Sequence, residues 1–266
     1  MNQVITFIRI ATSKVLGQFG YLKLLNIVFF TAYKLNLLKD NPTYKYHYFS
    51  KNLIKQGDTV VDIGANLGYY SVLFRKWVGA SGKLYSVEPV PIYNKILNWR
   101  LKKYSNVVIF PYALGLEEKD VTLVTPGQHG YLRTGLPFVF DADKEPSLDT
   151  FEFKFDAKMK KASELLKDIP KIDFIKCDIE GYEEFVIPEL KNTIIKHKPI
   201  LQIETTGEHK KVVESVLFEI GYKKYELEDG ILRNAESISK VEFGDFIYIH
   251  PTNTTVLKGL GELYKP

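Results

Sequence analysis

The 266-residue chain holds a single cysteine, Cys177. No disulfide can therefore form within it, and a cysteine-built structural zinc site is excluded. An unbroken apolar run of spanning length is missing too. The longest clean stretch, Leu24 to Tyr33, is short of the roughly 20 residues that a membrane-crossing helix needs. No small-residue cleavage site follows the apolar start, which argues against a signal peptide. Dense charge of one sign is absent as well. The net charge of +4 is spread over scattered lysines. That surplus suits an acidic partner or a membrane surface but is too thin to indicate nucleic acid. A reducing, cytoplasmic setting is the simplest expectation.

What is present fits one α/β domain with an elaboration, built on an ordinary hydrophobic fraction of 45%. Residues 1–50 form a helical extension, residues 51–252 the main domain, and residues 253–266 a tail. Within 4–38 the apolar residues are interrupted by Arg9, Lys14, Lys23 and Lys34. This extension either caps the domain or rests as an amphipathic surface on lipid, with peripheral membrane contact through residues 1–40.

From Gly57 onward, strand and helix signals alternate. Strands are expected at Thr59–Ile63, Lys83–Val87, Val107–Tyr112, Ile172–Cys177, Pro199–Ile203 and Phe246–His250, with a short extra one at Val121–Val124. Helices are expected to Val78, over Pro91–Tyr104, to about Lys196 and over Lys210–Ile220. Alternation of this kind implies βαβ crossovers and a mainly parallel sheet covered on both faces. Ligands bind such sheets at the carboxyl ends of the strands. Asp62, Glu88, Asp178 and Glu204 all fall at predicted strand ends, so four acids share one rim. Between Thr125 and Ala157 no period is visible. A loop that long in a compact domain is usually functional, and it is expected on the substrate side.

The string VVDIGANLGYYS, Val60 to Ser71, runs from a strand through a glycine turn. Dinucleotide turns follow G-x-G-x-x-G, where the second glycine lets the backbone reach a pyrophosphate. Here Asn66 stands in that place. Asn tolerates left-handed angles, so the turn still forms, but its side chain points into the cleft. Asp62, one residue before the turn, suits a cationic amine better than two phosphates. Together these favour S-adenosylmethionine over a nicotinamide cofactor. Glu88 would accept hydrogen bonds from ribose hydroxyls in either case.

These residues, with SVEPVP around Glu88, PYALG at Pro111–Gly115 and IKCDIEGYE at Ile175–Glu183, resemble the FkbM-type S-adenosylmethionine-dependent methyltransferases. The resemblance spans roughly Gly57 to Pro251. It implies the class I methyltransferase fold, a Rossmann-like and mostly parallel seven-stranded sheet with helices on both faces. It also implies O-methylation of a sugar, glycan or small metabolite. Position by position, Asp62, Gly64, Asn66 and Gly68 would line the methionine end, joined by Ala65, Tyr69 and Ser71 of the same turn. Glu88 and Pro89 would meet the ribose, Ala113 the adenine, and Asp178, Glu180 and Gly181 match a D-x-E-G signature. The acceptor is not inherited; a glycan, a lipid-linked sugar or a small molecule would each serve.

Methyl transfer needs alignment, and an alcohol acceptor must also lose a proton to a base or a metal. Asp178 and Glu180 are the candidates, Glu204 a third, and His129 and His209 weaker ones. A divalent metal, if one binds, would use Asp178, Glu180 and Glu204, since hard cations prefer carboxylates. Three rivals stand beside this reading: a nicotinamide-dependent oxidoreductase, a nucleic-acid methyltransferase and a non-catalytic membrane-associated module. The second lacks its [DN]-P-P-[YF] element; the nearest string is Asn41-Pro42-Thr43-Tyr44.

Overall fold

The computed structural model describes residues 3–127, 130–145, 147–235 and 243–265. In chain order the elements are α1 (Gln3–Lys34), α2 (Lys45–Phe49), β1 (Thr59–Ile63), α3 (Ser71–Val78), β2 (Lys83–Val87), α4 (Pro91–Leu101) and β3 (Val107–Phe110). Next come β4 (Tyr112–Gly115), β5 (Lys119–Val124), β6 (Phe138–Val139), β7 (Lys154–Lys161), α5 (Ala162–Leu166) and β8 (Phe174–Cys177). The chain then forms α6 (Glu183–Glu189), α7 (Lys191–His197), β9 (Ile200–Thr206), α8 (Gly207–Glu219) and β10 (Lys223–Glu228). It closes with β11 (Ile231–Asn234), β12 (Phe243–Ile249), α9 (Thr254–Leu260) and β13 (Tyr264–Lys265).

The main sheet runs β13-β11-β10-β12-β9-β8-β1-β2-β3. Strands β3, β2, β1, β8 and β9 are parallel neighbours. β12 enters antiparallel between β9 and β10. These seven strands form the mostly parallel seven-stranded sheet that the resemblance implies, and β11 and β13 extend one edge to nine. Short apolar strands build it because both faces are covered. Val60 and Phe174 face one apolar cluster with α3, α4 and α9. Their neighbours Val61 and Ile175 face a second cluster with α5, α6, α7 and α8. The two-residue period of a strand divides the core into these two halves.

Several expectations need correction. The third strand does not run on to Tyr112. Pro111, which has no N–H to give a ladder, separates β3 from β4, and β4 joins a second sheet, β4-β7-β5-β6. The segment 125–157 is accordingly less irregular than its sequence suggests, since β6 and most of β7 lie in it or beside it. β7 alternates Phe155, Ala157 and Met159 with charged residues, a period-two signal hidden by the charged text between Pro146 and Pro170. Glu204 lies inside β9, opposite Asp245 of β12, because the antiparallel pairing carries β9 to Thr206. The helix after β8 divides in two near Pro188, whose ring disrupts the turn behind it. Residues 253–265 are no free tail: Leu257 and Leu260 are buried, and β13 pairs with β11.

The N-terminal region forms one long helix, with non-helical angles at Gly17 (φ 65°, ψ 168°) where it kinks. By length and composition it could cross a membrane, despite its interrupting charges. Its inner side is nevertheless occupied. Tyr21 and Leu22 pack with Tyr93, Ile96, Tyr131 and Leu132. The side-chain amide of Asn26, wholly buried, donates to Leu67 O at 2.7 Å.

Candidate functional site

β1 ends against β8, and the chain must turn where their carboxyl ends meet. A Cβ on Gly64 would lie 1.8 Å from the Asp178 carbonyl oxygen, and its φ is +81°, so only glycine fits. Asn66 takes the left-handed conformation at φ 52°, as expected. The amide groups of this turn are all engaged. Gly64 and Ala65 donate to Val87 O, and Gly68 donates to Ala65 O. Asn66 N–H donates to Glu88 Oε2 at 2.6 Å, and Leu67 N–H to Asn66 Oδ1 at 2.8 Å. Five successive N–H groups thus have protein acceptors, leaving no cradle for a pyrophosphate of the kind that glycine-rich turns supply.

Glu88 anchors the turn from β2. Its Oε1 accepts from Val90 N–H at 2.8 Å, and burial, opposed by these two amides, raises its pKa to about 7. Asp62 and Ser71 are placed differently from expectation. Asp62 is fully buried behind the turn and accepts from the Ser71 hydroxyl, which also meets Ser86 Oγ at 2.8 Å. Burial raises the Asp62 pKa, and its Oδ1 is a buried acceptor with no partner among the described residues. Asp62 and Ser71 therefore support the turn from behind, whereas Tyr69 packs on Phe29 of α1, and none of Asp62, Ala65, Gly68, Tyr69 and Ser71 is among the residues that line the cleft. Gly64, Asn66, Glu88, Pro89, Ala113, Asp178 and Glu180 do line a common cleft, whose cavity volume is about 90 Å³. Tyr93, Tyr112, Phe138 and Tyr182 add aromatic wall, and Phe138 brings the 125–157 segment to the site.

Beyond β8 the turn Asp178-Ile179-Glu180-Gly181 is shaped by Glu183. That carboxylate is buried and accepts from Ile179 N–H at 2.6 Å and Gly181 N–H at 3.0 Å. Glu180 is held in the left-handed region at φ 56°, a costly backbone state for such a residue. Its side chain lines the cleft beside Asp178. Desolvation by burial, with Asp178 and Glu183 nearby, lifts its pKa to about 8. Asp178 behaves in the opposite way. Burial works upward on it, but the Lys176 ammonium, 2.8 Å from Oδ2, holds it below the usual range. Glu204, hydrogen-bonded to Asp178, is pushed up to about 9 by burial and by that neighbouring charge. The two carboxyls titrate as a pair, with the Lys176 ammonium favouring the anion on Asp178 and burial favouring the neutral form of Glu204.

Lys176 was not anticipated. It lies in the middle of the apolar strand β8, 2% exposed, with its ammonium over the Tyr70 ring at 4.8 Å. A lone lysine inside IDFIKC is the sequence signal that marks it, since a buried ammonium requires partners. Asp178 and Asp62 keep it charged against the downward pull of burial. His47 stacks on Tyr70 at 3.9 Å, and burial, with Lys176 next, lowers its pKa to about 3. Behind them, Gln202 bridges Tyr70 Oη and Asp245 Oδ1.

The histidines named from sequence fare unequally. His129 lies outside the described residues. His209 is partly exposed on α8, with Nδ1 2.7 Å from Glu184 Oε1, next to the Glu180-Gly181 turn and off the cleft lining. Asp178, Glu180 and Glu204 do come together, with one oxygen from each within 4.8 Å of the others.

A family model described as the methyltransferase FkbM domain matches residues 62–227. No curated protein matches the chain. Among solved structures it is similar to a methyltransferase FkbM from Methylobacillus flagellatus KT, at 17% identity and a TM-score of 0.49, covering 78% of this chain and 48% of that one. The chain thus spans about half the length of that relative. It is also similar to a precorrin-6y C5,15-methyltransferase from Geobacter metallireducens GS-15, at 15% identity and TM-score 0.40, covering 77% and 85%. A third is an S-adenosylmethionine-dependent O-methyltransferase from Thermotoga maritima, at 14% identity and TM-score 0.40, covering 79% and 65%.

Proposed function

The chain belongs to the FkbM methyltransferase family, and from that premise we propose that it transfers a methyl group from S-adenosylmethionine to a hydroxyl of a sugar, glycan or small metabolite. The observation that carries this reading is the position of Glu180. It opens on the same cleft as Asn66, Glu88 and Ala113, with a pKa near 8 that suits a general base.

The residues present fit the donor. The engaged turn amides disfavour a dinucleotide, while Glu88 retains acceptor capacity for ribose hydroxyls beyond its two backbone bonds. Gly64 and Asn66 would lie at the methionine end, and Ala113 beside the base. When bound, S-adenosylmethionine supplies an electrophilic methyl on a sulfonium. The protein's task is then to align an acceptor oxygen with that methyl and to take its proton. Glu180 receives the proton from the acceptor hydroxyl. Asp178, kept anionic by Lys176, holds its hydrogen-bonded partner Glu204 in place behind it.

A second reading assigns the three carboxylates to a divalent cation, favoured by the mutual approach of their oxygens within 4.8 Å. The Lys176 ammonium already on Asp178 Oδ2 weighs towards the hydrogen-bonded pair. Incubation with methyl-labelled S-adenosylmethionine and glycan, lipid or metabolite extracts tests the whole scheme. Label in an alkali-stable ether supports O-methylation. Full turnover in excess chelator removes the cation, whereas loss restored by magnesium or manganese assigns it. A thermal shift with NAD and none with S-adenosylhomocysteine would replace the scheme with an oxidoreductase.

A further inference from the structure

The outer side of α1 has no role in the site. Among the described residues it holds the largest concentration of exposed apolar side chains: Phe7 is 72% exposed, Val15 82% and Val28 55%, and Ile8, Leu16 and Ile27 are exposed as well. Scattered apolar residues on a surface need no explanation, but so many exposed on one element, both before and after its kink at Gly17, do.

Charge distinguishes what could cover these side chains. Residues 1–39 carry Arg9, Lys14, Lys23, Lys34 and Lys39 and not one Asp or Glu; the first acid is Asp40. Lys14, Lys34 and Lys39 are exposed. Lys23 lies over the ring of Trp99, 4.6 Å from its centroid, and Trp99 is itself 37% exposed. A stretch whose apolar side chains are interspersed in sequence with cations alone, with a tryptophan beside one of them, has the pattern that settles into an anionic lipid headgroup layer.

The inner side decides between crossing and lying. Asn26 is wholly buried and bonded to Leu67 O. Arg100 Nε donates to Asn26 Oδ1 at 2.5 Å, and Leu132 N–H to Gln18 Oε1 at 3.1 Å. A helix spanning the hydrocarbon would have to break these bonds without replacing them. A helix lying flat keeps them all.

We propose that α1 lies in the headgroup layer of an anionic membrane, apolar side down, and that it docks the whole protein there peripherally. Docking sets against the bilayer the side of the molecule that also carries Tyr131 and Leu132 of the cleft-side segment. It requires no turnover, so it is tested apart from methyl transfer. The full chain is sedimented with vesicles of phosphatidylcholine alone and with about a third phosphatidylglycerol, at low and high salt. Expected are binding to the anionic vesicles only, weakened by salt, and about tenfold weaker binding for Phe7→Ser/Val28→Ser and for Lys14→Glu/Lys34→Glu. All four positions are exposed, so unchanged melting temperatures confirm folding. Absence of binding to anionic vesicles at low salt overturns the proposal. So does binding that neither variant weakens. A dimer in sedimentation velocity that Phe7→Ser/Val28→Ser dissolves also overturns it, by showing a second copy on this face.

Discussion

Asn66 donates its backbone N–H to Glu88 Oε2 at 2.6 Å, so the glycine turn after β1 and the acid at the end of β2 form one unit. The left-handed Asn66 points its amide at β2, and the carboxylate clamps both this amide and that of Val90. The rim of the sheet is thus set before any ligand arrives.

Replacing Glu88 with Ala leaves two backbone N–H groups without acceptors at a buried position. Loss of a charged acceptor to buried donors costs roughly 1–3 kcal/mol. The expected result in chemical denaturation is a destabilisation of that size. The thermal shift produced by S-adenosylhomocysteine should vanish with it. A variant that keeps the full shift would detach Glu88 from the donor.

Glu180→Gln keeps the shape of the turn and removes the base. Turnover should fall about 10²-fold or more, with S-adenosylhomocysteine affinity unchanged. In the unaltered protein, rate should climb with pH as Glu180 ionises through about 8, and the variant should lose that limb. A residual rate with the same pH profile would move the base elsewhere.

Glu204 links stability to pH. Its folded pKa of about 9 lies above its ordinary value of 4.5, so the folded state binds its proton more tightly than the unfolded chain does. The associated stability is complete below pH 4.5 and is lost as pH rises through about 9. Melting temperature should therefore decline across that window. Glu204→Gln, which mimics the protonated form, should show a flatter decline in calorimetric scans, and parallel curves would contradict the proton on Glu204.

Lys176→Met removes the cation from between Asp178 and Asp62 and leaves their charges uncompensated in the core. Breaking a buried ion pair in this way typically costs about 3–5 kcal/mol. Combining Lys176→Met with Asp178→Asn should recover part of that loss. Additive effects in the double-mutant cycle would mean that the two side chains act independently.

The parallel half of the sheet was legible because its strands are short β-branched runs with helical text between them. The site was legible because Gly64, Asn66, Glu88 and Asp178 sit at strand ends, where local pattern and site coincide. Lys176, Glu183 and the sealed position of Asp62 were not. Their roles come from which strands lie side by side, and adjacency of β1 to β8 is written nowhere locally. β7 was obscured because its alternation is embedded between Pro146 and a charged stretch. Glu204 was placed at a strand end because β12, its antiparallel partner, lies some forty residues downstream and extends β9 past the point where its own hydrophobicity fades.

The break at Pro111 bears on how such a scaffold can diversify. Because β4 leaves the main sheet there, Ala113 pairs with Met159 of β7, and β5 and β6 join the same small sheet. The wall expected to touch the donor's base and the wall lined by Phe138 therefore belong to one small sheet, at its two edges. A new acceptor preference cannot be grafted on by exchanging a surface loop alone. Any such exchange would also disturb the strand that carries Ala113, so under the proposed reading acceptor and donor contacts would have to change together.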